Sequence, residues 1–407
     1  MKRELSLLDA VGIGINGIVG SGIYLLVAPL AKAGGGASVA GVLACGALCI
    51  LIALCFAEVG SMYDESGGPY VYARDAFGKP LGFAVGWLGM SVGVLGLAAV
   101  SSGFAGALAR FWPAASTLRA PIACGIVILF GAINLKGVKA GGRASTSLSL
   151  LKIGPLILVA LAGLRFAPHA ALSFDLHGIA QAAFLSVFMM SGFEYAAVPA
   201  GEVRDAKRTV PIAVVGSITG AAALYAVLQL VSLGALPDLA NTAQPLPDVA
   251  AKALGGWGAT LLGLTALVSM LGFCAGVALV APRYFMALAN DGHLPKTLRD
   301  FRPAIVVSTA FACGLAIMLG YASLVDVSNV VILSGYALTC LATLILRFRL
   351  PDKSRRYRAP KAVPLLAFCA AITLLAFARP GANEWLFSAE LLAIGIAIRV
   401  VVALAVR

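Results

Sequence analysis

Three short stretches of this 407-residue chain carry polar chemistry inside otherwise apolar sequence. The first is Gly20-Ser21-Gly22, within Gly12-Ile-Gly-Ile-Asn-Gly17-Ile-Val-Gly20-Ser21-Gly22-Ile23-Tyr24. Two glycines around a serine favour unwinding of a helix. An unwound helix frees backbone N–H groups, and the restarted half points its positive end at its surroundings. Together these make a carboxylate receptor without a fixed charge. Gly12, Gly14 and Gly17 also spell a formal GxGxxG. A dinucleotide site needs a preceding strand and a βαβ unit, which the apolar surroundings do not supply. Gly12 and Gly14 read instead as small residues for helix packing.

The second stretch is Phe188-Met-Met-Ser191-Gly192-Phe193-Glu194-Tyr195, with Glu202 further on. Glu194 falls near the middle of an apolar run. A carboxylate there must face a cavity, find a partner or stay protonated. It therefore reads as a proton-coupling site, as a counter-charge for a cationic solute, or as a neutral acid bonded to a backbone break. Glu202 lies near the end of the run, where Arg204 or Lys207 can pair with it, and reads as structural. The third stretch is Leu150-Leu151-Lys152-Ile153-Gly154-Pro155. Lys152 lies one to two turns from a helix end, within snorkelling reach. An ammonium among carbonyls freed at a helix break would also occupy the place of a sodium ion, and could carry a proton.

The chain contains no HExxH, no Walker A sequence and no Ser/His/Asp set placed for hydrolysis. His169 and His177 flank one loop and His293 lies in another. Cys45, Cys49, Cys55, Cys124, Cys274, Cys313, Cys340 and Cys369 all sit inside apolar runs without a CxxC pair, and read as packing residues. No catalytic residue, cofactor or metal is expected, and the chain is not read as an enzyme.

The elements that must position these residues follow from composition. The chain is 60% hydrophobic and 12% charged, against about 45–50% and about 25% for soluble domains. Its apolar runs are long enough to cross a bilayer and must then be helices. About twelve spans are expected, near 8–33, 38–60, 80–109, 119–137, 146–165, 178–201, 211–235, 257–289, 303–321, 325–347, 362–378 and 385–405. At membrane depth, an unwound segment is tolerated only where it lines a cavity. Met1 to Asp9 leads straight into the first apolar run without a cleavage site.

The net charge of +12 is placed by the same twelve spans. With a cytoplasmic N-terminus, one side of the membrane receives Lys2, Arg3, Arg74, Lys79, Lys136, Lys139, Arg143, Arg204, Lys207, Arg208, Arg283, Lys296, Arg299 and Arg302. It also receives the run from Arg347 to Lys361, then Arg399 and Arg407. The other side holds only Lys32, Arg110, Arg119, Arg165, Lys252 and Arg379. That asymmetry satisfies the positive-inside rule, and no basic-aromatic stripe suits nucleic acid. The longest loops are 61–79, 236–256 and 347–361, too short for a soluble catalytic domain; the first is expected to hold a short interfacial helix. Spans one to five and spans six to ten each begin with an interrupted helix. Five is odd, so the halves have opposite topology, as in inverted-repeat transporters. The expected units are residues 1–165, residues 178–347, and a basic loop with two further spans over 348–407.

At these residues the chain resembles the amino acid–polyamine–organocation family of secondary transporters. Gly20-Ser21-Gly22-Ile23 resembles that family's first-helix motif, and Gly67-Gly68-Pro69-Tyr70-Val71-Tyr72-Ala73-Arg74 its GGPYxYxR loop. Gly192-Phe193-Glu194, Arg208-Thr209-Val210-Pro211, Ala289-Asn290-Asp291-Gly292-His293-Leu294-Pro295 and Arg356-Tyr357-Arg358-Ala359-Pro360 resemble further signatures. The resemblance implies an all-α, LeuT-like five-plus-five inverted repeat with broken first and sixth helices and no enzymatic activity. It implies that a substrate carboxylate meets N–H groups at Ser21, Gly22 and Ile23, beside Gly20. The amino group would meet carbonyls near Ile18, Phe188 and Ser191, beside Gly192 and Glu194, with Phe188 as an aromatic gate. Lys152, near Asn16, matches the lysine of sodium-independent members. The stretch near Val277 shows no aromatic matching the arginine–agmatine exchangers.

The reading is thus an amino-acid transporter of the inner membrane, with both termini cytoplasmic. It would be sodium-independent and work by proton symport or exchange. A cationic amino acid or polyamine exchanger, or an exporter, is the alternative. The expected partners are an amino acid as small-molecule substrate, protons and membrane lipid, not nucleic acid.

Overall fold

A chain in hydrocarbon must satisfy its backbone within each segment, and every long apolar run here does so as helix. The computed structural model describes residues 5–63, 67–135, 138–198, 203–378 and 380–405. Lys2, Arg3, Lys136, Glu202, Arg379 and Arg407 lie outside these residues, as do the side chains of Lys139 and Arg143. The first eight helices are α1 Leu7–Ile18, α2 Gly22–Leu25, α3 Val27–Gly34, α4 Ser38–Gly60, α5 Pro69–Phe77, α6 Lys79–Leu108, α7 Arg119–Leu135 and α8 Val138–Gly163. The rest are α9 Leu176–Met190, α10 Ala206–Ala235, α11 Pro245–Leu254, α12 Gly256–Asn290, α13 Phe301–Met318, α14 Tyr321–Arg349, α15 Val363–Ala378 and α16 Ala382–Ala405. An isolated parallel bridge joins Leu5 to Val203.

Among the described residues, ten helical stretches are long and apolar enough to cross a membrane, and α7 and α15 are shorter apolar helices. These account for the twelve expected runs. Ser6 and Asp9 cap α1 reciprocally, the Ser6 N–H donating to Asp9 at 2.9 Å and the Asp9 N–H to Ser6 Oγ at 3.3 Å. The Asp175 carboxylate caps α9 through the Gly178 N–H at 2.7 Å. The interfacial helix expected in loop 61–79 is α5, begun by Pro69.

Three boundaries differ from expectation. The first run is three helical pieces rather than two. Loop 236–256 contains α11, begun by Pro245. Tyr321 opens α14 instead of closing the ninth span, because Leu319 and Gly320 are extended, with ψ of 147° and 166°.

Helices α6 and α12 form the middle of the bundle, and α16 its rim. The most apolar windows of α6 and α12 are 89% and 78% buried, against 11% for α16. The exposed large side chains on α16, including Leu386, Val401 and Leu404, are lipid-facing by this reading.

Basic loops are fastened to one end of the bundle. Glu58, at that end of α4, receives Arg347 Nε at 2.9 Å, Arg347 Nη2 at 2.6 Å and the Ala359 N–H at 2.9 Å. Arg347 also donates to the Ala359 carbonyl at 2.7 Å, so loop 350–361 closes over α4. Tyr63 donates to Asp75 at 2.9 Å, beneath Lys353. Tyr70 and Arg74 both donate to Asp291. Burial alone would raise the Asp291 carboxyl, but these donors outweigh it and hold it below its usual range. His293 lies edge-on to Tyr70 at 6.3 Å and 5.4 Å from Phe83. Burial, then the Arg399 guanidinium, pushes its imidazole below the ordinary histidine value.

Candidate functional site

Helix α1 stops at Ile18 because Val19 leaves the helical region, at φ −83° and ψ 82°. Four carbonyls around this break, those of Asn16, Ile18, Val19 and Gly20, each take a donor from another helix. Lys152 Nζ on α8 donates to Val19 at 2.5 Å and to Asn16 at 3.3 Å. Ser269 Oγ on α12 donates to Val19 at 2.9 Å and to Gly20 at 3.2 Å. Tyr225 Oη on α10 donates to Ile18 at 3.2 Å. Lys152 is fully buried, so its ammonium is held within the bundle rather than snorkelling out of it.

On the far side of the break, the N–H groups of Ser21, Gly22 and Ile23 open α2. They make no backbone bond to another described residue, as expected for a first helical turn. Tyr321 Oη donates to Ser21 Oγ at 3.2 Å, and the Tyr321 ring stands edge-on to Phe188 at 6.4 Å and 88°. The two aromatics close one side of the break.

The sixth-span break lies directly opposite. Helix α9 ends at Met190, Ser191 is extended, and Gly192 has φ 105°, a left-handed conformation that favours glycine. A 3₁₀ turn over Phe193–Ala197 follows. Glu194 folds back on this break. Its Oε2 accepts the Gly192 N–H at 2.8 Å and the Tyr336 hydroxyl at 2.7 Å. The carboxylate also lines a cavity of about 20 Å³ with Tyr284 and Thr339, room for about one water.

The two breaks touch main chain to main chain. A Cβ on Gly17 would run into the Gly192 carbonyl, and a Cβ on Gly192 into Gly17. A Cβ on Gly22 would lie 2.6 Å from the Met189 Cα, and one on Gly20 would lie 2.9 Å from the Phe273 ring. Glycine at these positions permits the close approach.

The structure thus brings Asn16, Ile18, Gly20, Ser21, Gly22, Ile23 and Lys152 together with Phe188, Ser191, Gly192 and Glu194. Two carbonyls expected to await an amino group already carry internal donors. Ile18 accepts from Tyr225, and Phe188 accepts from Ser191 Oγ at 2.9 Å. The Phe188 carbonyl keeps a second lone pair for another donor, whereas Ile18 also accepts the Gly20 N–H at 3.0 Å and has both lone pairs taken. Sequence reasoning missed Tyr225, Ser269, Phe273, Tyr321 and Tyr336. Phe273 is the aromatic of the eighth span that meets the break, one turn before Val277. The hydroxyls of Tyr225, Ser269, Tyr321 and Tyr336 gave no local signal, because a hydroxyl bonded within its own helix looks the same in sequence.

Among the described residues, no group of three His, Cys, Asp or Glu side chains is arranged for a metal ion. The family model described as "Amino acid permease" matches residues 5–397. The chain is 26% identical over 403 residues to the methylthioribose transporter of Bacillus subtilis, covering 90% of this chain and 86% of that protein. It is 27% identical over 398 residues to a branched-chain amino acid permease of the same organism, covering 90% and 85%. The crystal structure of MhsT in complex with L-phenylalanine superposes with a TM-score of 0.71 at 16% identity, over 93% of this chain and all of that one. That likeness makes the fold a LeuT-like, all-helical membrane bundle with broken first and sixth helices.

Proposed function

The chain belongs to the amino acid permease family, and on that premise we propose that it is a sodium-independent secondary transporter of amino acids working by alternating access. The observation that carries the proposal is Lys152 Nζ on the carbonyls of Val19 and Asn16. A fixed ammonium there neutralises the carbonyl ends of broken α1, the task a bound sodium ion would otherwise perform. The free N–H groups at Ser21, Gly22 and Ile23 receive the substrate carboxylate. Ser191 and Phe188 offer carbonyls to its amino group beside Ile18, whose own carbonyl is already taken by Gly20 and Tyr225, and Phe188 with Tyr321 forms the gate. Glu194 carries the coupled proton, since its two donors accept either a carboxylate or a rearranged acid. An antiporting exchange mode uses the same parts without net proton movement.

The units of this machine are residues 1–165 and 178–347 as inverted repeats, with 348–407 outside the exchange of states. In this reading the chain sits in the inner membrane with both termini in the cytoplasm, the orientation that the basic loops favour. Glu194 also favours a second reading, a cationic amino acid or polyamine exchanger or exporter, in which the carboxylate pairs with the solute.

Uptake into proteoliposomes tests the proposal. A panel of twenty amino acids, common polyamines and methylthioribose is offered with and without sodium and with and without a pH gradient. Saturable amino-acid uptake without sodium is expected. A strict sodium requirement would remove the role given to Lys152. Transport of diamines alone would remove the carboxylate receptor.

A further inference from the structure

Helices α7 and α13 pack against each other, and two cysteines face one another across the seam between them. The Cys124 thiol donates to the Cys313 carbonyl at 3.8 Å, and the Cys313 thiol to the Cys124 carbonyl at 4.0 Å. The two thiols also lie within hydrogen-bonding reach of each other. Side chains that each reach the other's main chain have the closeness a disulfide needs, since that bond joins Cα atoms about 4.4–6.8 Å apart.

The seam is fastened on both sides of the pair. Towards the helix ends, Arg119 Nη1 of α7 donates to the α13 carbonyl of Ala316 at 3.2 Å and to Leu319 at 2.8 Å. Deeper in, a Cβ on Gly131 of α7 would lie 2.6 Å from Thr309 Oγ1 of α13. Ala123 and Ala312, the chain neighbours of the two cysteines, are fully buried. Thiols held in this way cannot drift apart, so joining them costs little further order. Access separates this pair from Cys45 and Cys49 of α4. Those sulfurs are 3.9 Å apart but 0% and 1% exposed. Cys124 and Cys313 are both partly exposed. Each lies five residues from the nearer end of its helix, or roughly 7–8 Å in. An uncharged hydroperoxide can reach them there.

We propose that Cys124 and Cys313 form a redox modification site, converted by hydroperoxides into a reversible disulfide that staples α7 to α13. The oxidation balances in two steps. One sulfur takes an oxygen as the peroxide O–O bond breaks, giving a sulfenic acid and one water. The second thiol then displaces that oxygen as another water, and the S–S bond forms. Each sulfur gives up one electron, the peroxide gains two, and both thiol protons leave in the waters. The bond closes a separation of 189 residues, and a disulfide stabilises more the longer the loop it closes. Neither α7 nor α13 carries a residue of the two helix breaks, so the staple is separate from the site proposed there.

Treatment of the full chain with hydrogen peroxide, followed by peptide mapping without reductant, tests the proposal. One chain per nanodisc keeps the exposed Cys369 from joining two molecules. A joined peptide pair holding Cys124 and Cys313, lighter by two hydrogens than the separate peptides, is expected. The oxidised wild type should unfold about 5 °C higher than the reduced protein, and dithiothreitol should abolish both changes. Cys124→Ser and Cys313→Ser should show neither the joined peptides nor the shift. Both thiols donate only weakly, so these variants should fold, and Cys124→Ala replaces either that does not. Cys124 or Cys313 recovered as a sulfinic acid, unmodified, or joined to a different cysteine overturns the proposal. An unfolding temperature that does not move in the wild type, or that moves equally in Cys124→Ser, also overturns it.

Discussion

Replacing Lys152 by Met keeps the length of the side chain and removes the ammonium from the α1 break. The wild-type ammonium makes two bonds, to Val19 at 2.5 Å and to Asn16 at 3.3 Å. Bonds to charged groups contribute about 1.5–3 kcal/mol each, so the pair favours the pinned position of α1 by roughly 3–6 kcal/mol. Burying an ammonium costs several kcal/mol in return, so global stability should change little. The local effect does not cancel. Val19 keeps its bond from Ser269 at 2.9 Å. Asn16 loses the ammonium from its carbonyl, and taking a charged partner away from a buried carbonyl costs about 1–3 kcal/mol. That corresponds to a shift of roughly 5- to 150-fold away from the pinned state. Lys152→Met should therefore insert and unfold near the wild-type temperature, while uptake into proteoliposomes falls by about tenfold or more. Thermal unfolding and initial uptake rates, each measured with and without sodium, check this. A variant that transports at the wild-type rate would refute the reasoning.

Further outcomes follow from the same geometry. Gly22→Leu should abolish transport without preventing insertion, and Gly20→Leu should be the milder of the two. The obstacle at Gly22 is the Met189 backbone, whereas at Gly20 it is a ring that can turn; uptake and surface yield are the readouts. Glu194→Gln keeps an oxygen to accept from Gly192 and Tyr336, so solute binding should persist while uptake at pH 5.5 and 7.5 becomes alike, and unchanged pH dependence would make Glu194 structural. Glu58→Gln leaves Arg347 and Arg355 facing an uncharged group at a buried site, and should destabilise by about 3–5 kcal/mol in denaturation, as removal of one partner of a buried pair does. His293 is held below the ordinary histidine value by burial and Arg399. An unfolded histidine takes up its proton near pH 6.5, while the folded one resists until lower pH. Its contribution is present above about 6.5 and declines as pH falls through that value. The wild type should thus lose more thermal stability than His293→Phe between pH 7.5 and 5.

The architecture was legible because apolar runs of bilayer length can only be helices, and because the basic loops mark one side. Lys152 and Glu194 were legible for a related reason, since a charge among apolar residues has few explanations. The hydroxyl donors were not. Ser217, Ser232 and Ser328 each satisfy themselves on a carbonyl four residues back in their own helix, so a hydroxyl in an apolar run carries no signal of its own. Ser269 looks the same in sequence but bonds across to the α1 break. Tyr321 was hidden by a boundary. Placed at the end of the ninth span it points nowhere in particular, whereas at the start of α14 it reaches Ser21. The mutual approach of Gly17 and Gly192 depends on a crossing of helices 175 residues apart in the chain, which no local pattern encodes.

That crossing also restricts how the chain can diverge. Ordinary core positions drift by exchange, one residue enlarging as its neighbour shrinks. At Gly17 the neighbour is the Gly192 carbonyl, and at Gly192 it is the main chain of Gly17. A carbonyl has nothing to give up, so no second substitution can make room for a first. Descendants of this sequence can vary their gates and their acids one residue at a time. The two glycines should persist together, or disappear together with the crossing itself.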